Sequence, residues 1–170
     1  MKSCSFTGHR PEKLFIKNFE NEIECKLKNE IRKNIITLIN SGVSVFYSGM
    51  ARGIDIWSAE IVIELKKEFK NISLICVLPF KNQINDKWTE EEKIIYNNII
   101  KNCSKIKIIY DYYKKDAFEK RNKYLVDNAD IIIAVYNPKY IRSGTGQTVR
   151  MAQRAGIEVI IINPEEYIKH

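Results

Sequence analysis

Three short segments combine glycine with side chains able to hold an anion: TGHRP at 7–11, SGMARGID at 48–55 and SGTGQT at 143–148. They hold five of the seven glycines: Gly8, Gly49, Gly53, Gly144 and Gly146. Bare backbone lets N–H groups approach a phosphate closely, and the start of a following helix adds partial positive charge. Around those glycines stand Arg10 and Arg52 as anion forks, and Ser48, Ser143, Thr145 and Thr148 as hydroxyl donors or helix caps. Met50 and Ala51 complete the middle segment. The plain alternative is three tight strand-to-helix turns with ordinary Ser/Thr caps.

Individual residues carry the same two-sided reading. His9 offers an imidazole for hydrogen bonding over a crevice, or is a residue of a capped loop. Asp55 falls in the first turn of a helix; it is either a cap stabilised by the helix dipole or an acceptor for ribose hydroxyls. Arg52 contacts phosphate or stays solvated. On a helix Phe118, Asn122, Leu125 and Ala129 share a stripe, so Asn122 interrupts an apolar face. A buried amide there must find partners, either by tying the helix to a loop or by reaching the site together with Arg121. Gln83 and Trp88 follow the third strand, and the Trp88 indole either stacks on a base or packs on the next helix. Tyr112, after the fourth strand, divides the same way.

These residues need elements to bring them together. Residues 2–6, 43–47, 72–78, 105–109, 130–136 and 158–163 are short apolar or β-branched runs, several apolar on both faces, as in a buried parallel sheet. Helical spacing separates them. Leu27, Ile31, Ile35 and Leu38 mark one helix, and Ile54, Trp57, Ile61 and Leu65 a second. Thr89 and Glu92 have capping-box spacing at the head of a third, which continues with Ile95 and Ile99 on one face. A fourth spans about 116–128 and a fifth about 146–155. The alternation predicts an α/β, Rossmann-like three-layer sandwich with a mostly parallel sheet of about six strands, one domain over 1–170. All three glycine segments then leave the same carboxyl edge, where open α/β sheets bind ligands. Gly42 and Gly156 instead end helices and are expected to be structural.

Composition narrows the classes. No apolar stretch approaches the roughly 20 residues of a membrane span, and no apolar leader follows Met1, so a cytoplasmic protein without a membrane partner is expected. Cys4, Cys25, Cys76 and Cys103 are far apart, with only His9 and His170 to join them. That spacing gives neither a zinc site nor a redox pair, so no metal and no cofactor are called for. The formal charge of +7 would suit a polyanion. Stretches such as ECKLKNEIRKN, however, read as a solvated helix face. The segments do not fit the common nucleotide fingerprints either: SGMARGID lacks the Lys-Ser/Thr of a P-loop, and SGTGQT lacks the third glycine of the dinucleotide motif.

TGHRP, SGMARGIDIWSAE, PFKNQINDKW, RNKYLVDNADIIIAVYN and SGTGQTVRMAQRAGIEVIII, taken in order from about residue 3 to residue 163, resemble the YpsA-like proteins of the SLOG superfamily. DprA and the lonely-guy phosphoribohydrolases are in the same superfamily. The resemblance implies a Rossmann-like sheet whose Gly-rich loops form a nucleotide-type pocket. It supports a sensor or sequestering module for a nucleotide or an ADP-ribose- or NAD-like ligand. An N-glycoside hydrolase is the alternative, although Arg150 falls about where the phosphoribohydrolases carry a glutamate. A DprA-like binder of single-stranded DNA is the other alternative. It is disfavoured because the tyrosines are not interleaved with basic residues in any one segment. A homo-oligomer is compatible with the sequence.

Overall fold

A computed structural model describes residues 1–14 and 20–167 of the chain; His170 lies outside the described residues. Six strands, β1 (Lys2–Gly8), β2 (Val43–Ser48), β3 (Ser73–Phe80), β4 (Lys105–Tyr110), β5 (Ile131–Val135) and β6 (Glu158–Ile162), form one sheet in the order β4-β3-β2-β1-β5-β6. All five pairings are parallel. The runs apolar on both faces are the central ones: Cys4 and Phe6 of β1 and Ile132, Ile133 and Ala134 of β5 are fully buried. The edge strand β4 keeps Lys105 and Lys107 exposed, a charge pattern that discourages further strand pairing.

The helices are α1 (Pro11–Leu14), α2 (Glu20–Asn40), α3 (Ile54–Leu65), α4 (Glu90–Asn102), α5 (Ala117–Asp127) and α6 (Gly144–Arg154). The predicted stripes are buried: Leu27, Ile31, Ile35 and Leu38 on α2, and Ile54, Trp57, Ile61 and Leu65 on α3. Helices α2, α3 and α4 pack as one layer over the larger core, whereas α5 and α6 cover the opposite face with Val126, Val149 and Ala152. Strand order reverses between β1 and β5. With right-handed crossovers, that reversal is what puts the last two helices on the other side. The result is the α/β Rossmann-like sandwich expected from the sequence.

Boundaries moved in two informative places. β1 runs on to Gly8 rather than ending at 6, and α6 begins at Gly144 rather than 146. Ser143 is its N-cap, accepting from the Gly146 N–H at 3.0 Å. The third glycine segment is therefore not a loop preceding a helix but the helix's own first turn.

The capping box on α4 is fully formed: Thr89 Oγ1 accepts from the Glu92 N–H at 3.1 Å, and Glu92 Oε2 accepts from the Thr89 N–H at 2.8 Å. Glu92 also accepts two hydrogen bonds from Arg52, at 3.0 and 3.2 Å, and Glu12 holds the same guanidinium from α1. Replacing Thr89 with alanine removes one half of the box. We expect urea denaturation of Thr89→Ala to give a stability about 1 kcal/mol below wild type, with an unchanged m-value.

Candidate functional site at the carboxyl edge of the sheet

A cavity of about 400 Å³ opens at the carboxyl end of β1, the strand at which the sheet order reverses. Crevices at such switch points are where open α/β sheets take ligands. Its wall comes from Gly8, His9 and Arg10 after β1, Ala51 and Asp55 at the β2–α3 turn, Phe118, Arg121 and Asn122 on α5, and Ser143, Gly144 and Thr145 at the head of α6. A larger hollow of about 610 Å³ lies among α2, α3 and α4, lined by Glu24, Glu60, Glu64, Glu91 and Glu92. It touches no strand end, and Lys28 and Arg32 stand among its carboxylates, so the smaller cavity at the strand ends is the candidate.

The β2–α3 turn is built around two constraints. Gly49 is bare because its neighbours fill the space a side chain would take: a Cβ there would sit 2.8 Å from Arg121 Cδ and 2.9 Å from Asp55 Oδ2. Gly53 has φ +85°, and a Cβ would come within 3.1 Å of the His9 carbonyl oxygen. The first glycine thus makes room for an internal arginine and carboxylate rather than for a phosphate. Between them Met50, itself left-handed at φ 57°, is buried in the core. Ser48 Oγ donates to the Asp55 carbonyl at 2.8 Å and accepts from the Met50 N–H at 3.2 Å. Gln83 Nε2 donates to the Met50 carbonyl at 3.1 Å and to Tyr96 Oη at 3.2 Å. A non-glycine residue in this region is costly, and these bonds on both of its polar groups hold it there.

Arg121 is the charged centre of the wall. It is buried; Nη1 donates to the Gly49 carbonyl at 2.6 Å and Nε to Asn122 Oδ1 at 2.9 Å. Asn122, expected to be the buried polar residue of α5, is only half-buried, and the helix is turned so that Arg121 points inward instead. Burial draws the guanidinium below its ordinary pKa, with Asp55 opposing that shift; an arginine stays ionised there. Burial likewise pushes the Asp55 carboxyl up, opposed by Arg121, by the Ala51 N–H at 3.3 Å and by Arg10. Arg10 and Arg121 both lie over the Phe118 ring, with Cζ 5.8 and 5.6 Å from its centroid.

His9 is buried, and its Nε2 accepts from the Asn137 N–H at 3.0 Å. That bond leaves the proton of the neutral ring on Nδ1. Burial, with Lys13 nearby, lowers its pKa to about 4, so the imidazole is uncharged at neutral pH. Opposite it, Gly144 and Thr145 occupy the first turn of α6, whose N–H groups have no partner within the helix. Around Gly144 a Cβ would meet nothing within 4 Å, so this backbone is open.

Ten of the sequence-expected residues therefore share the cavity wall, and seven do not. Ser48, Gly49, Met50 and Gly53 shape the turn behind it. Arg52 is committed to Glu12 and Glu92, which neutralise it. Thr148 Oγ1 donates back to the Gly144 carbonyl at 3.0 Å, and Gly146 packs on the Ile141 carbonyl. Trp88 packs against Tyr96, ring centroids 5.3 Å apart, so its indole belongs to the core. Arg150 donates to the Ile141 carbonyl and closes the turn before α6 rather than facing the cavity. Lys13 and Phe118 line the cavity without having been singled out for it. Each had a signal in its spacing: Lys13 stands three residues after Arg10, and Phe118 stands three and four before Arg121 and Asn122.

A UPF0398 protein of Bacillus cereus is 30% identical over 151 residues, covering 83% of this chain and 80% of that protein. Among solved structures, DNA processing protein A (DprA) of Streptococcus pneumoniae superposes with TM-score 0.59 at 16% identity, over 96% of this chain and 50% of that one. This chain thus spans about half the length of the Streptococcus protein. DNA processing protein A of Helicobacter pylori, described for its single-stranded DNA binding mode, gives TM-score 0.55 at 20% identity, over 95% and 65%. At such identities the two structures show a shared fold. The YpsA profile, described as the YspA SLOG family, matches residues 4–166, and the chain belongs to that family.

Proposed function

We propose that the protein binds a nucleotide or nucleotide-derived ligand of the ADP-ribose or NAD type in the switch-point cavity, as a sensor or sequestering module. One juxtaposition carries the reading: cationic Arg10 and Arg121, the open first turn of α6 and the Asp55 carboxylate line a single cavity. A phosphate fits between Arg10 and the N–H groups of Gly144 and Thr145, where fork and helix dipole act together. Asp55, whose carboxyl burial pushes up and Arg121 and Arg10 draw back down, accepts from ribose hydroxyls, and neutral His9 supplies one N–H donor. This assignment makes Arg10, His9, Asp55, Arg121, Gly144 and Thr145 the binding residues and leaves the remaining glycines as supports.

A ligand at ~100 times its dissociation constant stabilises a fold by about 2.7 kcal/mol. We expect such a shift from one class in a thermal-shift panel of nucleotides, NAD and ADP-ribose derivatives. Gly144→Val should abolish it while melting close to wild type without ligand, because a side chain there has space within the fold and none beside a phosphate. Gly49→Val is not equivalent: it collides with Arg121 and Asp55 and tests the fold instead. An undiminished ligand shift in Gly144→Val would remove α6 from the site.

The hydrolase alternative needs a carboxylate at the scissile bond. Arg150, engaged by Ile141, neither supplies nor opposes one, and Glu12 is occupied by Arg52, so Asp55 is the remaining candidate. It faces two guanidinium groups, which oppose the positive charge that N-glycoside cleavage develops on ribose. Chromatography of nucleoside monophosphate incubations should therefore show no appreciable free base. Robust release that is lost in Asp55→Asn and kept in Arg150→Ala would make the protein a hydrolase.

His9 also gives the cavity a pH signature. Its pKa is lower folded than unfolded, so in the interval between about 4 and the ordinary 6.5 the unfolded chain binds more protons. Its contribution to stability is full above 6.5 and is lost as pH falls toward 4. The drop in melting temperature from pH 7 to pH 4.5 should be smaller in His9→Gln than in wild type; equal drops would place a charged imidazole in the folded state.

A further inference from the structure

Outside the cavity, the carboxyl edge of β3 and β4 carries an aromatic row that the nucleotide reading does not use. It begins inside, at Phe118 on the cavity wall. Phe80, the last residue of β3, stands 5.8 Å from Phe118 and 5.5 Å from Tyr113, both nearly perpendicular to it. Tyr113 is 61% exposed and its neighbour Tyr112 69%. Both lie in the loop joining β4 to α5. Lysines are threaded through the row: Lys114 Nζ is 4.6 Å from the Tyr110 ring and 5.9 Å from that of Tyr112, and Lys120 Nζ is 5.8 Å from Tyr110. Acids are present but engaged. Asp111 pairs with Lys81 at 3.0 Å, and Asp116 accepts from Tyr110 Oη at 3.1 Å and pairs with Lys120 at 3.9 Å.

Tyr112 and Tyr113, consecutive in this loop, both stand largely in water, where apolar ring surface is costly to hold. Alternating rings and ammonium groups suit a chain that is itself alternately flat and anionic. We infer that this row is a binding track for single-stranded nucleic acid, with bases stacking on Tyr112 and Tyr113 and a phosphate paired with Lys114. The combination of a charged path with sequence-tolerant stacking is the general mode of such recognition. A rigid duplex would not offer its base faces to these rings. An acidic peptide would satisfy the lysines but leave the tyrosines without flat partners. The track meets the cavity at Phe118, so a strand lying on it would bring one nucleotide to the cavity mouth. It rests on residues other than those of the nucleotide reading, and either can fail alone.

Fluorescence anisotropy with a labelled oligothymidylate of about 12 nucleotides tests the inference, with an abasic oligomer of equal length as the charge-only control. Wild type should bind oligothymidylate, more weakly as salt rises, and prefer it over the abasic strand. Tyr112→Ala and Tyr113→Ala should each weaken binding about tenfold, equivalent to ~1.4 kcal/mol and within the range for stacking one base on an aromatic ring. Tyr113→Phe should bind as wild type. Lys114→Gln should lower the slope of log K against log salt by about 0.7. Among the described residues Tyr112 has no aromatic neighbour and it is largely exposed, so Tyr112→Ala remains folded, and any mononucleotide thermal shift should be the same in it as in wild type. No binding at 50 mM salt, equal affinity for the abasic strand, or wild-type binding by Tyr112→Ala would each overturn the track. Loss of the mononucleotide shift in Tyr112→Ala would merge the track with the cavity and overturn their independence.

Discussion

The hydrogen bond from the buried guanidinium of Arg121 to the carbonyl of Gly49 is the contact on which the site depends. At 2.6 Å it ties α5, which covers one face of the sheet, to the turn that starts α3 on the other. A buried guanidinium is tolerable only with oxygen acceptors and a nearby negative charge. The Gly49 carbonyl, the Asn122 amide oxygen and the field of Asp55 supply them. Any side chain at 49 would push the guanidinium away. Bare backbone in the second glycine segment is thus a requirement of internal electrostatics, and the cavity inherits its shape.

That constraint also sets the chemistry available to a ligand. Arg121 and Asp55 each shift toward neutrality through burial, and each restrains the other. Arg10, exposed and adjacent, tips the balance to positive. The neutral His9 adds polarity without charge because its Nε2 is already taken by the Asn137 N–H. In the proposed reading, such a lining suits an anion that also carries hydroxyl or other neutral donors. Arg52, equally basic, adds nothing to this potential, since two glutamates neutralise it where it clasps α1 and α4 together.

Much of this was readable before any coordinates, and the exceptions have a common cause. The apolar stripes on α2 and α3 and the Thr89 capping box are set by local spacing, and they formed as read. Left-handed backbone at Gly42 and Gly156 ends α2 and α6 as expected. Placement of the glycine segments on one sheet edge followed from strand–helix alternation and the handedness of crossovers. Less legible was which residue of a pair faces inward. Asn122 fits the apolar stripe of α5 on a helical wheel, yet Arg121 is the buried one, because the Gly49 carbonyl that accepts from it lies in the turn after β2, seventy-two positions away.

Local interactions reach about four residues along a helix or two along a strand, so the sequence by itself determined the elements, their capping and the edge to which the candidate residues belong. Partnership between residues far apart in sequence was decided only by the tertiary structure. Arg52 meets Glu92 forty positions away, Arg121 meets Gly49 seventy-two away, and His9 meets Asn137 one hundred and twenty-eight away. Tyr110, Tyr112, Tyr113, Lys114 and Lys120 share the one segment YDYYKKDAFEK, and the tertiary structure sets Phe80 of β3 against its Tyr113 and Phe118. Charge and hydrogen-bonding act over a few ångströms of space regardless of separation along the chain. For that reason the same arginine type could be a clasp at 52, an internal tie at 121 and a turn closure at 150.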